Sequence, residues 1–285
     1  MNIWVQTATR LWNSWKRRNV LMQLRPNTTI RGRYKIVKPI GEGSYGLAYL
    51  CRDLMRNREL CVLKHVQPLR GGSARTATAF NLETAMLSRL NHPSVPKLIE
   101  SFQYRNALCF TMEYVPGRSL EQLLFDDNKT FTELESLTLL RRLLDIVADL
   151  HAEGIVHRDI RIANVILDKE HVFLIDFGLA RDIRDGAGQQ IPDDIEPDAP
   201  MEKVLRRRVH VTSDFYGLGH LLLFLLYSNF PEEDEELSWE EELTTLAPQT
   251  KKLLRRMLMT EQPYSAIEEV IADTEAAIRM IELAS

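Results

Sequence analysis

The chain of 285 residues has few cysteines and no long apolar run. Cys51, Cys61 and Cys109 are too few for a disulfide-rich secreted domain, and their spacing is not that of a metal site. We therefore expect free thiols in a reducing cytoplasm. The most apolar stretch, residues 218–227, is about half as long as the roughly 18 residues that a membrane-spanning helix needs. It predicts a buried core helix.

Acidic residues are absent from the first 41 positions, which contain nine lysines and arginines, whereas the remainder of the chain is acidic. Trp4, Trp12 and Trp15 recur there at helical spacing and predict a helix that ends at Pro26. Three roles stay open for this extension of residues 1–32: a peripheral contact with an anionic membrane, packing on the protein's own surface, or docking to a partner. The same composition also resembles a mitochondrial transit peptide. No feature predicts a nucleic-acid partner.

Beyond the extension, short β-type runs come first and helical patterns follow. The predicted strands are 34–40, 47–53, 59–66, 98–104, 107–113, 165–167 and 172–175, and 27–29 is predicted as a loop. The predicted helices are 75–90, 119–124, 132–153, 213–227, 239–246, 250–259 and 266–283. This order indicates an α+β protein with a small β-rich lobe and a larger helical lobe.

A glycine-rich segment, Gly41-Glu42-Gly43-Ser44-Tyr45-Gly46, lies between the first two predicted strands. The segment after it has a strand pattern, whereas a dinucleotide-binding fingerprint requires a helix there, so that interpretation is excluded. Glycines at these positions allow a hairpin backbone to lie close to phosphate groups.

Five charged or polar residues follow at defined spacings. Lys64 comes 18 residues after the last glycine of that segment, and Glu83 lies on the next predicted helix. The sequence His-Arg-Asp-Ile-Arg-Ile-Ala-Asn spans 157–164 and places Asp159 and Asn164 five residues apart in a loop. An Asp-Phe-Gly sequence begins at Asp176, 12 residues beyond Asn164. Lysine and carboxylate groups in this order suit the binding of nucleotide phosphates.

The order and spacing of these motifs resemble the eukaryotic-type (Hanks) protein kinase family over roughly residues 33–280. The short chain is similar to small bacterial serine/threonine kinases without a sensor domain. The resemblance implies a two-lobed protein kinase fold within residues 33–283. Its N-lobe would span 33–113, its hinge 113–117 and its C-lobe 118–283.

The resemblance also implies ATP and Mg²⁺, or Mn²⁺ in its place, as cofactors. The implied catalytic residues are Asp159, Arg161 and Asn164, and the implied metal ligands are Asn164 and Asp176. The implied ATP-binding residues are Ile40, Gly41, Glu42, Gly43, Ser44, Tyr45, Gly46, Leu47, Ala48, Val62, Lys64, Glu83, Met112, Glu113, Val115 and Ile166. The implied packed column between the lobes is Leu87, Leu98, His157 and Phe177, with Asp214 at its base.

On this resemblance we expect a cytoplasmic enzyme that transfers the γ-phosphoryl group of ATP to serine and threonine hydroxyls of a protein substrate. Lys64, Asp159, Asn164 and Asp176 are all present, which favours an active enzyme over a nucleotide-binding pseudokinase scaffold. A kinase-fold enzyme that acts on a small-molecule hydroxyl is a third alternative. Arg161 stands where serine/threonine kinases usually have lysine, so strict discrimination against tyrosine stays open.

The segment from 178 to 211 departs from the family pattern, because it contains no serine, threonine or tyrosine to phosphorylate. We hypothesise that one of its carboxylates pairs with Arg158 in place of a phosphate, and the alternative is a solvated acidic loop. The carboxylates considered are Asp182, Asp185, Asp193, Asp194, Glu196 and Asp198. Glu202, in an altered Ala-Pro-Glu motif, lacks the arginine that the family has near Ser265, so we expect it to stay in solvent.

Overall fold

The computed structural model describes residues 24–43, 46–66, 72–186, 199–230 and 237–284. A β-rich N-lobe precedes a helical C-lobe in the chain, as the order of sequence patterns predicts. The predicted helix within residues 1–27 lies almost wholly outside the described residues, as do 187–198 of the acidic segment.

Six antiparallel strands form the N-lobe sheet in the order β1-β2-β3-β4-β6-β5. The strands are β1 (Thr29–Ile30), β2 (Tyr34–Gly43), β3 (Gly46–Asp53), β4 (Glu59–Val66), β5 (Leu98–Tyr104) and β6 (Ala107–Glu113). Helix α1 (Gly72–Arg89) connects β4 to β5. Strands β3, β4 and β6 contain runs of three or four consecutive buried residues, because apolar clusters cover both faces of the sheet there.

The N-lobe sheet curls until side chains of its distant strands meet. The Tyr34 hydroxyl on β2 donates to the Glu100 carboxylate on β5 at 2.6 Å, and the Tyr34 ring stacks on Phe102 with centroids 5.8 Å apart. The Thr111 hydroxyl on β6 donates to the Tyr34 oxygen at 3.2 Å. The enclosed interior consists of Ile30, Tyr34, Ile36, Tyr49, Cys51, Cys61 and Leu63. All three cysteines are free and buried, as their spacing predicts.

Helix α1 packs against a second apolar layer of the sheet, which continues into the core of the C-lobe. The Phe80 ring on α1 meets Phe110 on β6 edge to face with centroids 5.9 Å apart, and Leu87 is buried. Because α1 borders both lobes, its position decides where Glu83 lies relative to the cleft between them.

Seven helices build the C-lobe within the described residues. They are α2 (Leu120–Phe125), α3 (Glu133–Ala152), α4 (Met201–Arg207), α5 (Val211–Tyr227), α6 (Trp239–Glu242), α7 (Pro248–Met257) and α8 (Ile267–Ala284). The side chains of Ser119 and Thr132 cap α2 and α3, and the third helical residue of each, Gln122 and Glu135, completes a capping box. These caps fix the starts of both helices.

Five short strands complete the C-lobe within the described residues. They are β7 (Arg118–Ser119), β8 (Ile155–Val156), β9 (Val165–Asp168), β10 (His171–Leu174) and β11 (Arg181–Asp182), and β9 and β10 form a hairpin. Strand β11 pairs with β8, and β7 pairs with β9. These pairings place the ends of the loop 157–164 and the segment after Asp176 against one another.

Helix α5 is the apolar stretch noted in the sequence, and it lies in the middle of the C-lobe core. No single helix among the described residues is long and apolar enough to cross a membrane. Helices α4 and α5 pass that test only as a pair bent by 115°. The burial of α5 explains its composition without a membrane.

Most predicted elements are confirmed, and the bounds of β4, β5 and β6 agree with the predictions residue for residue. The helix predicted over 239–246 is wrong beyond Glu242, because Leu243 leaves helical geometry and packs into the core. The loop predicted at 27–29 is partly wrong, because Thr29 and Ile30 pair with β2. Helix α4 was absent from the sequence prediction.

Candidate active site

Polar side chains from both lobes converge on the cleft between them. Lys64 comes from β4, Glu83 from α1, Asp159 and Asn164 from the loop between β8 and β9, and Asp176 from the turn after β10. These are the residues that the sequence motifs singled out.

Lys64 joins the two lobes through two carboxylates. Its ammonium group forms an ion pair with Glu83 and a second one with the Asp176 Oδ1 atom at 2.7 Å. Burial opposes ionisation of Asp176, but the nearby positive charge of Lys64 outweighs it and lowers the Asp176 pKa to about 2. Burial raises the pKa of the Glu83 carboxyl by more than the positive charge of Lys64 lowers it, so the Glu83 pKa is raised overall. A permanently charged Asp176 therefore faces the cleft.

The loop after β8 presents Asp159 and Asn164 side by side. The Asn164 amide nitrogen donates to the backbone carbonyl and to the Oδ2 atom of Asp159, each at 2.9 Å. Arg161 extends from the same loop, with Nε 3.5 Å from Oδ2 of Asp159 and about half of its side chain exposed. One bond from Asn164 orients the Asp159 carboxylate, and the other holds the Asp159 backbone.

Asp214, at the start of α5, anchors the same loop from below. Its buried carboxylate accepts hydrogen bonds from the backbone amides of His157 at 2.9 Å and Arg158 at 2.7 Å. His151 contributes a third partner at 2.9 Å. Burial alone would raise the Asp214 pKa, but the hydrogen bond and charge of His151 lower it. The loop is thus tied to the central helix by a charged, fully buried group.

The glycine-rich segment forms the hairpin between β2 and β3, in which Gly41 pairs with Ala48 and Gly43 with Gly46. Ser44 and Tyr45, two of the predicted nucleotide contacts, lie outside the described residues, and so do the side-chain positions of Glu42. A Cβ on Gly46 would lie 2.2 Å from the carbonyl oxygen of His65 on β4. Only glycine therefore permits the close approach of these two strands.

The apolar residues predicted to contact ATP lie on five strands, β2, β3, β4, β6 and β9, and in the hinge. Val62 on β4 pairs with Met112 on β6, Ala48 on β3 pairs with Lys64, and Ile166 lies on β9. Ile40 and Leu47 belong to the hairpin strands, and Ile40 is exposed. The hinge begins at Glu113 and continues through Val115, which is buried. The predicted site residues are thereby distributed over both lobes and the hinge.

Comparison with known proteins places this arrangement in a family. Residues 34–280 match the family model described as a protein kinase domain. This chain belongs to the protein kinase family. The resemblance inferred from the motifs is confirmed.

The relatives include bacterial kinases, one of them of similar length. The probable serine/threonine-protein kinase YbdM of Bacillus subtilis is 34% identical over 259 residues, which cover 90% of this chain and 94% of the relative. Serine/threonine-protein kinase B of Synechocystis sp. is 28% identical over 267 residues, and the match spans 46% of that longer protein. These matches confirm the prediction of a serine/threonine protein kinase.

Solved structures support the fold. The crystal structure of a cysteine-to-alanine mutant of the Mycobacterium tuberculosis PknI kinase domain aligns with a TM-score of 0.68 at 22% identity, over 90% of this chain and 99% of that chain. The two-lobed α+β protein kinase fold is therefore confirmed.

The packed column expected between the kinase lobes is present in the structure. The rings of His157 and Phe177 meet edge to face with centroids 4.7 Å apart, and both residues are buried. Leu87 lies in the same core, and Leu98 packs against it. Apolar packing thus holds the kinase lobes together behind the polar residues of the cleft.

Arg158 of the kinase catalytic loop contacts both ends of the segment that lacks phosphorylatable residues. Its guanidinium donates to the carbonyl oxygens of Leu179 at 3.0 Å and Arg207 at 2.7 Å. Asp182, one of the carboxylates proposed to pair with Arg158, is instead bound by Arg89 and Arg184. The hypothesis that a carboxylate of this segment pairs with Arg158 is therefore wrong for Asp182.

For the other carboxylates of that segment, the hypothesis of a pair with Arg158 stays untested. Four of them, Asp193, Asp194, Glu196 and Asp198, lie outside the described residues. Asp185 is exposed.

Glu202 of the altered Ala-Pro-Glu motif is exposed, as expected from the absence of its family partner. Its carboxylate pairs with Arg206 one turn further along α4, at 3.2 Å. An exposed pair of this kind contributes little to stability, so the kinase lacks the buried ion pair that usually anchors this motif.

Proposed function

We propose that this protein kinase uses ATP and Mg²⁺ to phosphorylate serine and threonine hydroxyls of protein substrates. The observation that carries the proposal is the convergence in the cleft of Lys64 and Glu83 from the N-lobe with Asp159, Asn164 and Asp176 from the C-lobe. Catalysis of phosphoryl transfer depends mainly on positioning and on charge stabilisation, and these five side chains supply both.

The residues present fit a nucleotide with a divalent cation. Asp176 stays ionised at neutral pH, and Asn164 adds an amide oxygen, so the pair offers the oxygen ligands that Mg²⁺ prefers. Mn²⁺ accepts the same ligands. Two protein ligands suffice because Mg²⁺ keeps waters and phosphate oxygens in its coordination shell. When bound, the cation neutralises charge on the phosphates.

The N-lobe fits the remainder of ATP. Lys64 presents a positive charge held by Glu83, which suits contacts with phosphate oxygens. The hairpin glycines Gly41, Gly43 and Gly46 allow its backbone to approach those phosphates. Apolar side chains of Val62 and Ile166 suit the faces of an adenine ring.

Asp159 is the residue that we propose accepts or orients the proton of the attacking hydroxyl. Its Oδ2 atom is held by Asn164 at 2.9 Å, which leaves Oδ1 to face an acceptor hydroxyl. Arg161 lies beside the carboxylate and offers a cationic donor to the transferred group. Its planar guanidinium is not equivalent to the lysine of most serine/threonine kinases.

We also propose that the kinase domain spans residues 33–283 and that the protein acts in the cytoplasm. For residues 1–23 the three roles stay open: a peripheral contact with an anionic membrane, packing on the protein's own surface, or docking to a partner. The curated relatives support serine and threonine as acceptors, since each of those described above is named a serine/threonine-protein kinase.

Transfer of labelled phosphate from ATP tests the proposed reaction. The full chain is incubated with labelled ATP, Mg²⁺ and a mixed protein substrate, beside Asp159→Asn and the surface variant Arg142→Met. We expect incorporation on serine and threonine that Asp159→Asn abolishes and Arg142→Met preserves. Nucleotide binding without incorporation by the wild-type protein would instead identify a pseudokinase. Consumption of ATP with a small hydroxyl acceptor alone would establish the third alternative.

A further inference from the structure

One arginine connects the end of α1 to two parts of the C-lobe. The Nη1 atom of Arg89, in the last turn of α1, donates to Oδ2 of Asp182 on β11 at 2.9 Å. Its Nη2 atom donates to the backbone carbonyl of Glu153, in the turn between α3 and β8, also at 2.9 Å. A single side chain therefore joins the N-lobe helix to the segment that follows the Asp-Phe-Gly sequence.

The side chain of Asp182 is buried and stays ionised. The residue is only 5% exposed, and its backbone pairs with Ile155 in the two-stranded sheet of β8 and β11. Its Oδ1 atom accepts the Arg184 amide at 2.9 Å and the Arg184 Nε at 2.7 Å. Hydrogen bonds from Arg184, and then that from Arg89, hold the Asp182 pKa well below its ordinary value. The carboxylate is therefore charged throughout the physiological pH range.

The same two chain segments meet a second time in the catalytic cleft. Glu83 precedes Arg89 by six residues on α1, a rise of about 9 Å along one rigid helix. Asp176 precedes Asp182 by six residues in the other segment. Lys64 bridges Glu83 and Asp176, so α1 and this segment are joined at the cleft and again at the Arg89–Asp182 pair. These two connections hold α1 and the segment after Asp176 in one position relative to each other.

A phosphate on this segment cannot supply the negative charge, since residues 178–211 contain no serine, threonine or tyrosine. In kinases with such a site, a phosphorylated side chain orders the segment by pairing with arginines. Asp182 supplies a permanent charge at a fixed position and pairs with an arginine of α1. No modification is needed to form this contact.

We propose that the Arg89–Asp182 ion pair is a positioning contact that holds α1 and the adjoining segment in the arrangement in which Glu83 pairs with Lys64, without phosphorylation. The inference rests on the proposed kinase function, because it concerns the regulation of that site. Asp182 and Arg89 act through the Lys64 site and touch no reacting atom.

The test compares Arg89→Met and Asp182→Asn with the control Arg142→Met. Arg142 makes the same two kinds of bond as Arg89, to the Glu170 carboxylate at 3.0 Å and to the Glu170 carbonyl at 3.2 Å, but far from α1. All proteins are treated with phosphatase, and kcat and KM for ATP are measured well below the unfolding temperature. The folded fraction is determined by circular dichroism, and kcat is given per folded molecule.

We expect phosphatase-treated wild-type protein and Arg142→Met to be equally active. Arg89→Met and Asp182→Asn should each lower kcat about 5- to 100-fold, the usual range of coupling between two sites. The losses should be far from additive, because the Arg89–Asp182 pair is broken already in either single variant and only the bonds to Glu153 and Arg184 differ between them. Arg89→Lys should recover part of the rate.

A purely structural contact would lower the unfolding temperature and leave kcat per folded molecule unchanged, and that result would overturn the inference. So would loss of wild-type activity on phosphatase treatment that is restored by rephosphorylation. Failure of the proposed function is distinguishable, because an inactive wild-type protein would show no transfer in any sample. An active wild-type enzyme with variants equal to Arg142→Met would refute the inference alone.

Discussion

The buried carboxylate of Asp214 accepts the backbone amide of Arg158 at 2.7 Å, and Arg158 adopts a left-handed backbone conformation with φ of 65°. This conformation is unfavourable for a non-glycine residue by about 1–2 kcal/mol. The hydrogen bonds from Arg158 and from the preceding His157 amide to Asp214 compensate for that strain. Helix α5 thereby fixes the backbone immediately before the catalytic Asp159.

We predict that Asp214→Asn destabilises the protein by about 3 kcal/mol, because the amide group cannot accept the two backbone bonds and the His151 contact as a carboxylate does. Asp145→Asn is the matched control, since Asp145 is an exposed partner of Arg141 and should contribute less than about 1 kcal/mol. Urea unfolding measures both. Equal losses in the two variants would contradict the role assigned to Asp214.

Gly117, at the end of the hinge, is predicted to tolerate no side chain. Its φ is +102°, and a Cβ there would lie 2.1 Å from the backbone carbonyl oxygen of Leu167 on β9. Gly32 also has a positive φ, of +67°, but no atom lies within 4 Å of its virtual Cβ. Gly32→Ala should therefore cost only about 1 kcal/mol of backbone strain.

Gly117→Ala should cost clearly more than Gly32→Ala in the free energy of unfolding, and it should also weaken nucleotide binding because the hinge must shift away from β9. Thermal unfolding and nucleotide titration of both variants check this expectation. A Gly117→Ala protein with the stability and nucleotide affinity of Gly32→Ala would show that the hinge adjusts freely.

Much of the kinase fold was predictable because its signals are local. A short β-type run predicted β4 over 59–66 with both bounds correct, and the helical pattern over 132–153 located α3 to within one residue at each end. The site residues were predictable from motif spacing, since Lys64, Asp159, Asn164 and Asp176 each belong to a short, ordered pattern.

The errors arise where tertiary packing overrides the local pattern. Leu243 and Leu246 suit a helical period after Trp239, but Leu243 turns away with ψ of 56° and both leucines pack into the C-lobe core. Helix α4 was missed because its alternation of charged and apolar residues is short, although Pro200 before it is a helix-start signal.

Long-range pairs could not be predicted from one sequence. Arg89 and Asp182 are separated by 93 positions, and no local pattern connects them. The hypothesis that an acidic residue orders the segment after Asp176 included Asp182 among six candidate carboxylates, but it named Arg158 as the partner. The pairing with Arg89 follows from the strand pair β8–β11, which positions Asp182 beneath the end of α1.

Lys64→Met should abolish transfer, with a loss of at least about 100-fold, because the site loses the charge that faces the nucleotide phosphates. It also leaves the Glu83 and Asp176 carboxylates together without a cation. Repulsion between them should raise the Glu83 pKa further above its unfolded value. The folded variant then binds more protons than the unfolded chain, so its stability should fall as the pH rises from 5 to 8.

Urea unfolding of Lys64→Met and wild-type protein at pH 5 and pH 8 measures this effect. The difference in free energy of unfolding between the two proteins should be larger at pH 8. A difference that is independent of pH would mean that the two carboxylates separate or recruit another cation. The double variant Lys64→Met, Glu83→Gln should remove the pH dependence, because it removes the carboxyl that titrates.

A second pH dependence should come from His220, within the buried core helix α5. Burial, reinforced by the positive charge of Arg206, lowers the His220 pKa from 6.5 to about 3. Between those values the unfolded chain binds a proton that the folded protein excludes. Stability is therefore fully present above pH 6.5 and declines as the pH falls, by up to about 1.4 kcal/mol per pH unit.

His220→Gln should reduce this slope between pH 6 and pH 4.5, while His171→Gln, at an exposed histidine on β10, should leave it unchanged. Urea unfolding at half-unit pH intervals gives the three slopes. Because other carboxyl groups titrate in the same range, the decisive quantity is the difference between wild type and His220→Gln, which should shrink as the pH falls. Parallel stability curves for these two proteins would mean that His220 accepts its proton in the folded state and that α5 admits charge at this position.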